Sequence, residues 1–271
     1  MMDSLDKAPP GRLHVTHVGT GPVPAVFLHG LFGQGRNFAS VARNLGDLAT
    51  WALIDLPNHG RSPWTDFVDY DAMALAVAAE VARMPHPVHL VGHSLGGRVA
   101  MRLALHHPRL VSGLTILDAT VDDRGFDPRG FDYLRAMRVL PLYRITTREE
   151  ADAELARACP DAAVRALLLQ NLRRTPTGWA WQINVEALAH HLRSLATWPP
   201  AHGTYSGSVA WVIGERSDRV SPADAPAMRV LFPSLRVTVV KQAGHWVHVD
   251  APVVVAQILR DELSRRSPSS H

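Results

Sequence analysis

The stretch from Pro87 to Gly97, Pro-Val-His-Leu-Val-Gly-His-Ser-Leu-Gly-Gly, limits the possible folds of this chain more than any other. A short apolar run, Val88 to Val91, leads into Gly92-His93-Ser94-Leu95-Gly96, and an amphipathic segment runs from Arg98 to His107. The order is strand, tight turn, helix. Gly-x-Ser-x-Gly in that setting describes a nucleophile elbow, with a serine on a strained turn and a glycine on either side where a Cβ would collide. Ser94 is then held above the end of a sheet. The N–H of Leu95 heads a helix, whose dipole favours a developing negative charge. Without the flanking strand and helix the motif would carry little weight, because glycine and serine are common in turns.

The surrounding chain repeats the rhythm. Leu13 to Val18 alternates apolar and polar, as a half-buried strand does. Pro24 to Leu28, Thr50 to Leu56 and Val111 to Leu117 read as further strands, with helices predicted over Arg36 to Leu45 and Tyr70 to Met84. Alternating buried strands and helices predict an α/β fold with a mostly parallel sheet covered on both faces. From Asp122 to Tyr205 four helical segments follow with no strand read between them: Phe131 to Leu140, Arg148 to Ala158, Ala162 to Leu172 and Asn184 to Leu195. That stretch reads as an inserted helical cap. Strand and helix then alternate again: Ser208 to Ile213, Ala223 to Leu231, Leu235 to Val240, Val253 to Leu263. The expected division is a core over 1–121, a cap over 122–205 and the rest of the core over 206–271.

In open parallel sheets, ligands bind beyond the carboxyl ends of the strands. His29, Ser94 and Asp118 all fall at such ends. A serine hydroxyl is a poor nucleophile until a base takes its proton, and that base needs an orienting carboxylate. Of fifteen histidines, His245 is the best placed, in Gly244-His245-Trp246-Val247-His248 after the final strand. Its place after Ser94 also fits the order serine, acid, histidine that accompanies this elbow. The acid has two candidates, Asp118 and Asp218, each after a strand. The oxyanion donors expected are the backbone N–H groups of Leu95 and of Leu31 in His29-Gly30-Leu31-Phe32-Gly33. His29, His93 and His248 are read as structural, and Asn58-His59-Gly60-Arg61-Ser62 as a turn that buttresses the mouth. His106-His107 and His190-His191 are adjacent pairs that face different sides of a helix, so no metal site is expected.

Other classes fit less well. Hydrophobic residues make up 46% and charged residues 20%, enough for a large core. The net charge is only +3, without a basic run, so nucleic-acid binding is not expected. The lone Cys159 excludes an internal disulfide and reads as packing. No charged segment followed by a long apolar run opens the chain, and no window approaches the ~20 apolar residues of a membrane span. A cytoplasmic protein without membrane attachment, monomer or homodimer, is expected, with residues 1–11 a loose leader and Ser264 to His271 a frayed tail.

These motifs resemble the α/β-hydrolase superfamily, and within it the small abhydrolase-domain serine esterases. The matches are His29 to Gly33 with Asn37-Phe38, Asn58 to Ser62, Gly92 to Gly97, Asn171-Leu172 with Trp181-Gln182-Ile183-Asn184, and Gly244 to His248. The resemblance implies hydrolysis of esters or thioesters with short to medium acyl chains and no cofactor. It favours an acid at the place of Asp118, with a serine in support from the loop of Asp218; most other α/β-hydrolases use the place of Asp218. This chain has aspartate at both, with Ser217 beside the second.

Phe32, Trp179, Trp181 and Trp246 are candidates for substrate contact, with Trp198, Leu140 and Leu142 as further apolar residues of the cap. Each of the cap residues also suits the cap's own core. Arg135, Arg138, Arg144, Arg173 and Arg174 suit a carrier-linked acyl group such as a phosphopantetheine thioester, or simply solvated helix faces. Acyl transfer, carbon–carbon bond hydrolysis and perhydrolysis use the same residues, and a non-catalytic binding protein can share the scaffold. A dehalogenase would need a carboxylate where Ser94 stands.

Overall fold

Alternate residues of the central strands go to opposite faces of one sheet, as the two-residue period of a strand dictates. In β2 (Val23–Leu28), Val26 and Leu28 join one apolar cluster, while Val23, Ala25 and Phe27 join another. β3 (Ala49–Ile54) divides the same way, with Ala52 and Ile54 on the first face and Ala49, Trp51 and Leu53 on the second. Such strands bury both faces, so helices must cover both. The computed structural model describes residues 11–66, 68–123 and 128–265. Most of the expected leader and most of the expected tail lie outside these residues.

The remaining strands are β1 (Val15–Val18), β4 (Val88–His93), β5 (Val111–Leu117), the hairpin strands β6 (Leu172–Thr175) and β7 (Gly178–Trp181), β8 (Val209–Gly214) and β9 (Leu235–Val240). Among the described residues the main sheet has the order β1-β3-β2-β4-β5-β8-β9. Every pairing in it is parallel except that of β1 with β3. The first cluster holds residues of α2 (Tyr70–Val81) and α3 (Leu95–His106), and the second those of α1 (Ala39–Asn44) and of the helix Pro252–Ser264.

Between β5 and β8 lie α4 (Arg129–Val139), α5 (Arg148–Leu155), α6 (Ala162–Leu169) and α7 (Val185–Ala196). Thr147, Asp161 and Asn184 cap the last three through their side chains. The reading of four helices without a strand needs correction, because β6 and β7 form an antiparallel hairpin between α6 and α7. Helix α6 stops at Leu169, short of the expected Leu172. Asn171 takes its place after the helix by donating from its side chain to the carbonyls of Leu167 and Leu168. Pro176 and Gly178 (φ +128°) then turn the chain. Neither strand alternates between buried and exposed positions, so the two-residue period that marks a strand is missing from both.

The segment between β5 and β8 is tied to the rest of the fold by side-chain hydrogen bonds. Asn184 donates from Nδ2 to Asn58 Oδ1 at 2.9 Å, and from its backbone to the Asn58 carbonyl at 2.9 Å. Arg102, buried on α3, forks onto Asp71 of α2 at 2.5 and 2.8 Å and reaches the carbonyl of Pro200 at 3.0 Å.

Candidate active site

The turn from β4 into α3 is built on close backbone approach. A Cβ on Gly92 would stand 2.3 Å from the Gly96 carbonyl oxygen, and one on Gly96 would stand 2.2 Å from that of Leu28. Neither position admits a side chain. Ser94 between them has φ +51° and ψ −116°, a strained conformation for a residue with a Cβ. Its N–H is tied to the Leu117 carbonyl at 3.0 Å, so the strained residue is anchored to β5.

His245 reaches Ser94 from the loop after β9. Its Nε2 lies 3.1 Å from Ser94 Oγ, and its Nδ1 lies 2.9 Å from Asp118 Oδ1. Asp118 follows β5 with φ +49° and is fully buried. Gly214 N–H donates to its Oδ2 at 2.8 Å, and Ser217 Oγ donates to its Oδ1 at 2.6 Å. A carboxylate accepts and does not donate, so toward Asp118 it is Nδ1 of His245 that carries the proton, which leaves Nε2 to accept from the serine. The residues therefore form one directed chain of hydrogen bonds from Ser94 through His245 to Asp118.

Asp218 stands at the same cleft as Ser94, but its carboxylate turns to arginines. Its side chain is 65% exposed and accepts from Arg129 at 3.1 Å and Arg219 at 3.0 Å. Burial raises its carboxyl pKa, but the two arginines outweigh that and hold it below the usual range. It makes no hydrogen bond to His245. Ser217, one residue before it, is the part of that loop that meets Asp118.

Four other histidines, His93, His248, His29 and His59, are held neutral by burial. His93 donates from Nε2 to the His245 carbonyl at 3.0 Å, and its pKa is well below normal. The His248 ring lies 4.6 Å from that of His93, and burial lowers its pKa to about 4. His29 accepts from Leu56 N–H at Nε2 (2.9 Å), so its Nδ1–H donates to the Gly30 carbonyl at 2.8 Å; burial lowers its pKa to about 4. His59, in the buttressing turn, bonds the Pro57 carbonyl through Nδ1 at 2.9 Å and is lowered to about 3, mainly by burial.

Ser94 opens into a cleft of about 810 Å³. Leu31, Phe32, Leu95, His245 and Trp246 line it, and the insert contributes Tyr133, Val164, Leu167 and Leu195. Trp179 and Trp181, expected there, are not among its lining residues, nor are Trp198, Leu140 and Leu142. Trp179 lies on the hairpin with the Arg174 guanidinium 4.7 Å above its ring, and Trp181 donates from Nε1 to the Met137 carbonyl at 2.9 Å. Both are spent on holding the insert together. Tyr133 and Leu167, which do face the cleft, sit at helical positions that look like any other packing residue in sequence. None of Arg135, Arg138, Arg144, Arg173 and Arg174 lines the cleft either; Arg138 pairs with Glu186 at 3.0 Å.

A parallel sheet wrapped by helices, with a serine elbow and a histidine–aspartate pair at its carboxyl edge, defines an α/β hydrolase. The sequence model of the alpha/beta hydrolase family matches residues 25–258, and the chain belongs to that family. It is 33% identical over 264 residues to the sn-1-specific diacylglycerol lipase ABHD11 of Danio rerio, spanning 93% of this chain and 82% of that protein. It is 28% identical to esterase YbfF of Escherichia coli, spanning 89% and 93%. The solved structure of a marine microorganism esterase superposes with a TM-score of 0.88 at 27% identity, covering 92% of this chain and 98% of that one.

Proposed function

We propose that this protein is a serine hydrolase that cleaves carboxylic esters or thioesters with short to medium acyl chains through an acyl-enzyme. One observation carries the reading: His245 stands between Ser94 Oγ and Asp118 Oδ1 at 3.1 and 2.9 Å, beside an open cleft. In this reading His245 Nε2 takes the serine proton as Oγ attacks the acyl carbon. The imidazolium is held by the Asp118 carboxylate, itself fixed by Ser217 and Gly214. The N–H groups of Leu31 and Leu95 receive the oxyanion, and preorganised donors of this kind are among the largest contributions to such catalysis. His245 then returns the proton to the leaving alcohol or thiol. Water, deprotonated by the same nitrogen, attacks the acyl-enzyme and releases the acid.

The apolar lining of Phe32, Tyr133, Val164, Leu167, Leu195 and Trp246 suits an acyl chain. The esterase and lipase relatives support ester substrates. The test is turnover of p-nitrophenyl esters of increasing acyl length by wild type, Ser94→Ala, Asp118→Asn and Asp218→Asn. Ser94→Ala is expected to abolish turnover, and Asp118→Asn to reduce kcat by about 10⁴, as removal of a triad carboxylate does elsewhere. Asp218→Asn is expected to stay within about threefold of wild type, as loss of an exposed ion pair has small effects. Turnover that survives Ser94→Ala, or a larger loss from Asp218→Asn than from Asp118→Asn, would overturn the assignment.

A further inference from the structure

We infer that Asn171, a buried residue of the insert, is a positioning residue for the oxyanion donor Leu31 N–H. The inference rests on the serine-hydrolase reading above. Residues 30–33 form a tight turn closed by Gly33 N–H donating to the Gly30 carbonyl at 2.9 Å. Phe32, its third residue, has φ +66°. Turns with a left-handed third residue take glycine or asparagine there, because a Cβ makes that conformation costly. A phenylalanine in that place must be held by something outside the turn.

What holds it comes from the insert. Asn171 Nδ2 donates to the Phe32 carbonyl at 2.8 Å, and the Phe32 ring packs 6.3 Å from that of Tyr133. The amide of Asn171 is itself oriented. Its Oδ1 accepts from Gln34 Nε2 at 3.1 Å, while Nδ2 faces the Leu167 and Leu168 carbonyls as well. Only the amide nitrogen can satisfy those carbonyls, so the group has one orientation.

The consequence passes through two planar trans peptides, in each of which C=O and N–H point in opposite directions. Asn171 fixes the Phe32 carbonyl, which aims the Gly33 N–H at the Gly30 carbonyl. The Gly30 oxygen, also bonded by His29 Nδ1–H at 2.8 Å, thus has two donors. Its own plane is set, and the Leu31 N–H at the far end of that plane is directed away from both, on the stretch that lines the cleft with Ser94. If Asn171 is removed, the Phe32 carbonyl is left buried without that donor, and the turn can relax to φ below zero by swinging these peptides.

The test uses Asn171→Ala, Asn171→Ser and Gln34→Leu in the full chain, with cooperative thermal unfolding to establish that each folds. Each is assayed on a p-nitrophenyl ester and on its thiono counterpart, in which sulfur replaces the carbonyl oxygen. Misaiming one donor is expected to lower kcat by about 10- to 100-fold, somewhat less than deleting such a donor outright, with KM within about twofold. The preference for the oxo over the thiono ester is expected to shrink, since sulfur accepts hydrogen bonds weakly and the wild-type preference reports the donors. Gln34→Leu, which loosens Asn171 without removing it, is expected to show a smaller change in the same direction, and it carries the test should the Asn171 variants fail to fold.

Folded variants with wild-type kcat and an unchanged oxo-to-thiono ratio would refute the inference. So would a change confined to KM, which would make Asn171 part of the pocket wall. Turnover that persists in Ser94→Ala is a separate result, which would remove the serine-hydrolase reading and this inference with it.

Discussion

Asp118 and Ser217 show how much a single side chain can do at this site. Asp118 is fully buried, and a buried carboxylate is tolerated only when its oxygens are bonded. It has three donors, one of which, the Ser217 hydroxyl, lies at 2.6 Å. Ser217→Ala removes that donor while leaving Gly214 N–H and His245 in place. A hydrogen bond to a charged group contributes about 1.5–3 kcal/mol, so the carboxylate becomes freer to rotate away from Nδ1. Steady-state kinetics on the best p-nitrophenyl ester are expected to show kcat about tenfold lower with KM nearly unchanged. An unaltered kcat would mean that Gly214 and His245 suffice to hold Asp118. The sequence places a serine and an aspartate side by side at 217 and 218. Which of the two turns inward depends on a loop whose other wall, Asp118, is 99 residues away.

The element that organises the molecule is the join of β4 to α3, and its packing is backbone against backbone. Gly96 sits where a methyl group would stand 2.2 Å from the Leu28 carbonyl oxygen of the neighbouring strand. That contact cannot be relieved by a rotamer change, only by moving β2 or α3. Gly96→Ala is therefore expected to destabilise the fold by about 3 kcal/mol or more, at or above the upper end of usual overpacking costs. It should appear as a lowered urea midpoint with an unchanged m-value. A midpoint equal to that of wild type would show that the two elements can part at no cost. This join was legible because its determinants are local: β-branched strand, glycine, serine, glycine, amphipathic helix. The hairpin between α6 and α7 was not, because neither of its strands alternates and their pairing is visible only across the turn.

At the scale of the whole molecule, the buried histidines bind its stability to pH. His29, His59 and His248 have pKa values of about 4, 3 and 4, and that of His93 is well below normal, with burial the largest cause in each. In the unfolded chain each titrates near 6.5. Between the two values the unfolded state binds protons that the folded state does not, so stability is complete above about pH 6.5 and falls as pH drops. Each histidine contributes up to about 1.4 kcal/mol per pH unit, levelling off only below its folded pKa. Urea unfolding at intervals from pH 8 to pH 4 is expected to give a plateau above neutrality and a steep decline below pH 6.5. A stability that stays level from pH 7 to pH 5 would contradict neutral burial of these rings. Fifteen histidines in the sequence raise the possibility of such behaviour, but only the packing identifies which are enclosed.

By itself the sequence determined the alternation of strands and helices, the strained turn at Ser94, and the placing of His245 and both aspartates after strands. All of these follow from spacing and residue type over a few neighbouring positions, where sterics and hydrogen bonding act locally. The tertiary structure alone decided which aspartate hydrogen-bonds to His245, that Trp179 and Trp181 hold the insert together while Tyr133 and Leu167 face the cleft, and that Asn171 grips the Phe32 carbonyl. Those outcomes rest on contacts that no short window of sequence contains: 127 positions separate His245 from Asp118, 139 separate Asn171 from Phe32, and 44 separate Trp181 from Met137. Whether a carboxylate ends up enclosed with three hydrogen-bond partners or exposed and paired with arginines is a matter of what the folded chain brings to it.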